Sequence, residues 1–169
     1  GCTRGLSTQD LEYVHTRVGN RLQITQHAYN EFWDWYGPIL KEIYEKTGHW
    51  RSIWERNMIY GFLTRGTAEQ LLVGQADGTF VISFAEQRAG VLAIYHVLQG
   101  APCEYHMSAE EQRASFREFL ISSKALQALL VPPSDPTAKP DAVSKAKLLR
   151  EFRPPRTPKV GTPAPADDD

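Results

Sequence analysis

The sequence predicts an α+β fold: a small antiparallel sheet flanked by helices and preceded by an α-helical lead-in. Three observations carry that prediction. Apolar residues recur at spacings of three and four from Ala28 to Tyr44; apolar runs separated by short polar turns occupy residues 79–98; helical spacing returns after Ser108.

Each element has its own signal. Leu6-Ser7-Thr8-Gln9-Asp10 sets a hydroxyl three places before an acid, as in a capping box, and opens a first helix. Leu11, Val14 and Val18 give that helix its spacing, and Gly19-Asn20 a stop. Thr25 is the next N-cap. The helix after it has a wide stripe (Ala28, Tyr29, Phe32, Trp33, Tyr36, Ile39, Leu40, Ile43, Tyr44), predicting a mostly buried helix kinked at Pro38 and closed by Thr47-Gly48. Trp50, Ile53, Trp54, Ile59 and Tyr60 form an aromatic junction into Gly61-Phe62. Thr64 caps a short helix with Ala68, Leu71 and Leu72 inward, and Gln75 to Gly78 turns the chain. Thr79 to Ala85 alternates as a strand, with Phe80, Ile82 and Phe84 on one face and Val81, Ser83 and Ala85 on the other. Glu86 to Gly90 is a loop, Val91 to Leu98 a second strand, and Glu104 to Met107 a third, at the edge. Ser108 with Glu111 forms another capping box. The helical stretch that follows carries Phe116, Phe119, Leu120, Leu126, Leu129 and Leu130, broken near Ser122-Ser123. Beyond Val131 proline, alanine and charge dominate, predicting a disordered tail with one helical turn around Ala142 to Leu149. The divisions expected are therefore a helical segment 1–48, a mixed domain 49–133 and a tail 134–169.

Composition narrows the function class. The 169 residues are 41% hydrophobic, enough for a core, and the formal net charge of −1 argues against bulk electrostatic binding to nucleic acid or anionic membranes. Cys2 and Cys103 are too few for a disulfide framework, so the expected compartment is the cytosol or nucleus. No long uncharged apolar run occurs, and the amino terminus has no hydrophobic signal core. The chain opens on Gly1 rather than Met, so a segment of a longer protein is expected.

Catalytic patterns are missing. The sequence contains no Gly-rich phosphate loop and no Ser-His-acid arrangement, so a binding protein rather than an enzyme is expected. Glu110-Glu111 suits the solvated first turn of a helix. His96, Cys103 and His106 match no zinc spacing and lack a fourth ligand, so neither a metal nor another cofactor is expected. Lys139, Lys145, Lys147, Arg150, Arg153, Arg156 and Lys159 make the tail basic, diluted by Asp141 and Glu151, with no pattern of interleaved aromatics to stack on bases. The tryptophans Trp33, Trp35, Trp50 and Trp54 read as structural aromatics that fix the helices to the sheet.

Two runs, Trp54-Glu55-Arg56-Asn57-Met58-Ile59-Tyr60-Gly61-Phe62-Leu63-Thr64-Arg65 and Gly78-Thr79-Phe80-Val81-Ile82-Ser83-Phe84-Ala85-Glu86, resemble the STAT family of signal transducers and transcription factors. The first is similar to the passage from the STAT helical linker into its Src homology 2 (SH2) domain, the second to that domain's central strand. Phe32-Trp33-Asp34-Trp35-Tyr36 with Ile39-Leu40 resembles the last linker helix, Leu6 to Asn20 the segment before it, and Ser115 to Leu130 the closing helical region. The resemblance runs from about residue 6 to about residue 130 and is nearest to protist-type members. It implies an SH2-like domain after a linker, with the family's coiled-coil and DNA-contacting domains lying upstream.

The resemblance implies binding of phosphotyrosine peptides, often with dimerisation through reciprocal tails. The family's phosphate-binding arginine falls at Ser83 here, and the two hydroxyl positions after it at Ala85 and Gln87; Glu86 and Arg65 match. Losing a bidentate, charge-assisted pair costs about 3–6 kcal/mol, on the order of a hundred- to ten-thousand-fold in affinity. Arg65 and Arg88 are the cations left near the expected pocket. No tyrosine follows Tyr105, so this chain supplies no carboxy-terminal tyrosine for a reciprocal dimer. The leading expectation is a peptide-recognition module with a degenerate phosphotyrosine pocket. The alternatives are a scaffold that binds peptides independently of phosphate through an edge strand or groove, and a DNA-associated fragment using the basic tail.

Overall fold

The computed structural model describes residues 4–19, 24–44, 50–133 and 138–153. Two helices lead in: α1 (Thr8–Val18) and α2 (Gln26–Tyr44). Ser7 caps α1 in a full capping box with Asp10, and Gly19 ends it in a left-handed conformation. The Thr25 hydroxyl accepts from the Ala28 amide at the start of α2. Pro38 lies inside α2. The stop expected at Thr47-Gly48 lies outside the described residues.

After α3 (Arg51–Glu55) and α4 (Arg65–Leu72) come the strands β1 (Thr79–Phe84), β2 (Leu92–Leu98) and β3 (Ala101–His106). Two short helices follow, α5 (Ala109–Arg113) and α6 (Phe116–Ser122). The described structure closes with β4 (Ala128–Val131), β5 (Asp141–Ser144) and α7 (Lys145–Glu151). The five strands form one sheet in the order β3-β2-β1-β4-β5. All neighbours are antiparallel except β1 and β4, which run parallel with Phe80 opposite Leu129.

The sheet separates two apolar layers. Phe80, Ile82, Phe84 and Ile94 face α2, α3 and α6. Val81, Ala85, Ala93 and Tyr95 face α4, joined by Tyr60 and Leu63. The alternation read in β1 thus sorts its side chains between the layers, and every residue of the strand is buried.

Two expectations are corrected. The helical stretch expected to reach Leu130 ends at Ser122, and Ala128–Val131 is a strand. Leu126, Leu129 and Leu130 do fit helical spacing, but Leu129 and Leu130 enter opposite layers, as adjacent residues of a central strand do. The tail expected at 134–169 also contributes to the fold: β5 pairs with β4, and α7 buries Leu148 completely. The Lys145 amide donates to the Gln127 carbonyl at 2.7 Å, the Arg117 guanidinium donates to the Leu149 carbonyl, and the Phe152 ring meets Phe116 edge-on at 5.0 Å. Leu148, Leu149 and Phe152 join the core, while the strand β5 itself is mostly exposed. The segment is held by that apolar docking and by the edge of β4, whose backbone groups β5 pairs. Among the described residues no helix is long and apolar enough to cross a membrane.

Candidate functional site

The residues singled out in the sequence come from two neighbouring places: the α4 face of β1 with the loop after it, and the start of α4. Thr64 caps α4 by accepting from the Thr67 amide, which sets Arg65 in the first turn. Arg65 is well exposed, and its Nε donates to Glu69 Oε1 at 2.7 Å, one turn along the helix. Ser83 and Ala85 are fully buried; Glu86 is half-buried, and Gln87 and Arg88 are exposed. Ser83 and Ala85 therefore share one buried face, Glu86 lies beside Tyr13, and Arg65, Gln87 and Arg88 stand in solvent.

Ser83 sits in a closed set of bonds. Its Oγ accepts from the Leu63 amide at 3.0 Å. It lies 3.0 Å from the Gly61 carbonyl and 3.1 Å from that of Phe84, so its single proton is shared between two acceptors. The Phe84 amide returns a bond to the Gly61 carbonyl at 2.8 Å. The segment 61–63 is thus fastened along β1.

The same segment is held on its other side by α1. Asp10 is completely buried, and its Oδ1 accepts from the Phe62 amide at 3.0 Å, while Oδ2 accepts from the Ser7 amide and hydroxyl. Gly61 has a left-handed φ of 84°, and a methyl group there would run into the Asp10 carboxylate. The Phe62 ring stacks on Tyr13 at 5.4 Å and packs against Trp35 and Phe84 at 5.3 Å each. The lead-in and the sheet are therefore joined by apolar packing around a few matched polar groups.

Sequence reasoning missed the remaining polar groups on the α4 face. Tyr95 and Glu104 are directly opposed on β2 and β3, and their side chains hydrogen-bond. Burial first, and the Glu104 charge second, raise the Tyr95 hydroxyl far above the ordinary tyrosine value, so it stays protonated and donates. Glu104 Oε1 also lies 3.0 Å from His106 Nε2. Glu86 is near Tyr13, whose hydroxyl is raised by burial and then by the Glu86 charge, against a lowering contribution from Arg17. The Glu104 carboxylate on this face is thus already taken by the Tyr95 hydroxyl. Nothing in the spacing of Asp10, Tyr95 and Glu104 joins them to Ser83, because the contacts run between elements far apart in sequence. Asp10 was legible only as a helix cap.

His96 and Cys103 stand opposite each other across β2 and β3, while His106 faces Glu104. Among the described residues no group of three or more His, Cys, Asp or Glu could hold a metal ion. The basic tail residues are divided: Lys145 Nζ donates to the Ser123 carbonyl at 2.8 Å, while Arg156 and Lys159 lie outside the described residues.

Two family models match parts of the chain. The family model for the SH2 domain matches residues 58–130, and the model for the EF-hand fold domain matches residues 1–46. The latter coincides with the helix pair α1–α2. The sequence between them, Gly19 to Thr25, has no Asp or Glu, whereas an EF-hand calcium loop draws its ligands largely from such residues. Signal transducer and activator of transcription A of Dictyostelium discoideum is 30% identical over 167 residues, covering 93% of this chain and 23% of that protein. Signal transducer and activator of transcription B of the same organism is 34% identical over 96 residues, covering 56% of this chain and 8% of the relative. The human Signal transducer and activator of transcription 6 is 32% identical over 119 residues, or 59% of this chain and 14% of the relative. The chain spans less than a quarter of the length of each.

Proposed function

Because this chain is a STAT-like SH2 protein, we propose that it works as a peptide-recognition module in which phosphotyrosine recognition at the Ser83 position has been given up. The similarity to the SH2 domain and to signal transducers supports a binding role rather than a catalytic one for this segment. Residues 1–48 act as a STAT-type linker and residues 49–133 as the recognition domain, extended by β5 and α7. The pocket positions are Arg65, Ser83, Ala85, Glu86, Gln87 and Arg88.

The observation that carries the reading is the use of the Ser83 hydroxyl. It is buried and committed to Leu63, Gly61 and Phe84, with no bonding capacity left for a phosphate. The Glu104 carboxylate beside Tyr95 on the α4 face further disfavours a dianion there. Arg65, paired with Glu69 in solvent, contributes only a screened charge.

A second reading has an observation of its own. β3 is an edge strand of the sheet, and an extended peptide added there binds through backbone hydrogen bonds without needing phosphate. The partners on these readings are phosphotyrosine or unphosphorylated peptide segments of signalling proteins. DNA is contacted through other domains of a longer protein, and the setting is the cytoplasm and nucleus.

The test is fluorescence anisotropy with matched phosphotyrosine and unphosphorylated peptides. The expected result is equal, weak binding of both members of each pair. Tight binding of the phosphorylated member alone, lost on Arg65→Gln or Arg88→Gln, would overturn the reading and assign the phosphate to the rim.

A further inference from the structure

One face of α2 is apolar and yet faces solvent. Tyr29, Trp33, Gly37, Leu40 and Tyr44 follow one another at spacings of three and four, so they form a stripe along the helix. The inward stripe, with Trp35, Ile39 and Ile43, is buried in the core. On the outer stripe Tyr29 and Tyr44 are more than half exposed, and Trp33 is 40% exposed. Neighbouring rings still steady Trp33: Phe32 lies 5.4 Å away, Tyr36 6.0 Å and Tyr29 6.1 Å. Large exposed aromatics gathered on one face mark an interaction surface more often than scattered ones do.

Gly37 opens the middle of this stripe. It lacks the Cβ that hinders a helical residue before a proline, here Pro38, and a methyl group built on it would meet no described atom within 4 Å. The helix surface therefore steps down between Trp33 and the Leu40–Tyr44 end. Aromatic rings beside such a step suit an extended proline-rich chain, whose rings pack on aromatics and whose backbone is ordered before it binds.

A segment of that chemistry belongs to this chain. Residues 154–165 lie outside the described residues and contain Pro154, Pro155, Pro158, Pro163 and Pro165. The charges in this stretch, Arg156 and Lys159, are positive. The exposed Asp34 and Glu31 flank Trp33, Glu31 being shared with His27. The described structure also ends near α2. Phe152 meets Phe116 at 5.0 Å and Phe116 meets Trp50 at 5.8 Å, while Trp50 lines a small apolar cavity together with Ile39 and Ile43 of α2. As a polyproline helix residues 154–165 extend about 37 Å, longer than the roughly 28 Å of the whole of α2.

We propose that residues 154–165 of this chain dock on the outer stripe of α2, with prolines against Trp33 and over Gly37 and with Arg156 and Lys159 turned towards Glu31 and Asp34. A tethered segment needs only weak intrinsic affinity, because its effective concentration is on the order of millimolar. The docked segment straps the lead-in to the end of the sheet domain. This surface is separate from Ser83 and does not depend on the peptide-recognition reading.

The test is NMR of the full chain, with a synthetic peptide of residues 153–169 as the undocked reference. Overhauser contacts between the Trp33 ring and proline δ protons are expected. So are amide shifts at Val160, Gly161, Thr162 and Ala164 that differ from those of the peptide. Trp33→Ala should return these four amides to the peptide values, and Asp34→Lys should move them in the same direction. Should Trp33→Ala not fold, Asp34→Lys at its exposed position gives the same readout. Amides that already match the peptide in the full chain, or that do not respond to these substitutions, would overturn the proposal. Shifts lost on tenfold dilution would overturn it too, placing the segment on a second copy of the chain.

Discussion

The segment Gly61 to Arg65 passes through two regions that treat polar groups in opposite ways. At Gly61 to Leu63 its amides and carbonyls meet Asp10 on one side and Ser83 on the other, both completely buried. Two residues later Arg65 stands in solvent, paired with Glu69 on its own helix. Gln87 and Arg88, across the loop, are exposed as well. Alignment to the SH2 pattern groups Ser83 with the exposed set, but its bonds group it with the junction. Identity at a motif position and membership in a site are separate questions, and only the second is answered by where the hydrogen bonds go.

That contrast predicts a gradient of effects. The largest belongs to Phe62, 2% exposed and packed among Tyr13, Trp35 and Phe84. Phe62→Ala should lower stability by about 3–5 kcal/mol in urea unfolding, through lost burial and a cavity shared by lead-in and sheet. Gly61→Ala comes next. It forces a side chain into a left-handed conformation and displaces Asp10 from Phe62, for a loss of about 2–4 kcal/mol. Amide exchange in α1 should quicken with it, which would separate a coupled junction from two independently stable parts.

A smaller, pH-dependent effect lies in β2. His96 Nδ1 is buried without a partner, and burial lowers its pKa below the ordinary 6.5. The unfolded chain then binds a proton more readily than the folded one. This contribution to stability is fully present above pH 6.5 and is lost as the pH falls through the lowered folded-state value. His96→Leu should flatten the urea midpoint between pH 6.5 and the acid limb, while the native protein declines there. At the small end, Arg65→Gln should leave the midpoint unchanged within error; a clear loss would show that the rim shares in the junction.

Local chemistry was the legible part of this sequence. The Ser7–Asp10 box, the Thr25 and Thr64 caps and the alternation of β1 each require only neighbours in the chain, and each stands where it was expected. β4 was misread because Leu126, Leu129 and Leu130 satisfy helical spacing, while their real role depends on parallel pairing with a strand some fifty residues earlier. β5 was missed for a related reason, although a helical turn was expected where α7 begins: Asp141 to Ser144 has little strand character until β4 offers an edge. At the candidate site, the alternation of β1 put Ser83 and Ala85 on one face of the strand, where both are buried. It could not show that Ser83 is tied to Gly61 and Leu63, or that Tyr95 and Glu104 share that face, since both facts belong to tertiary packing.

The most direct test of the central claim is Ser83→Ala, followed by urea unfolding and by peptide anisotropy on the same sample. The account predicts a loss of about 1–3 kcal/mol, because the Leu63 amide is left buried without an acceptor, and no change in affinity for either member of a matched phosphotyrosine and plain peptide pair. Unchanged stability with a drop in phosphopeptide affinity would contradict it, returning Ser83 to the binding site.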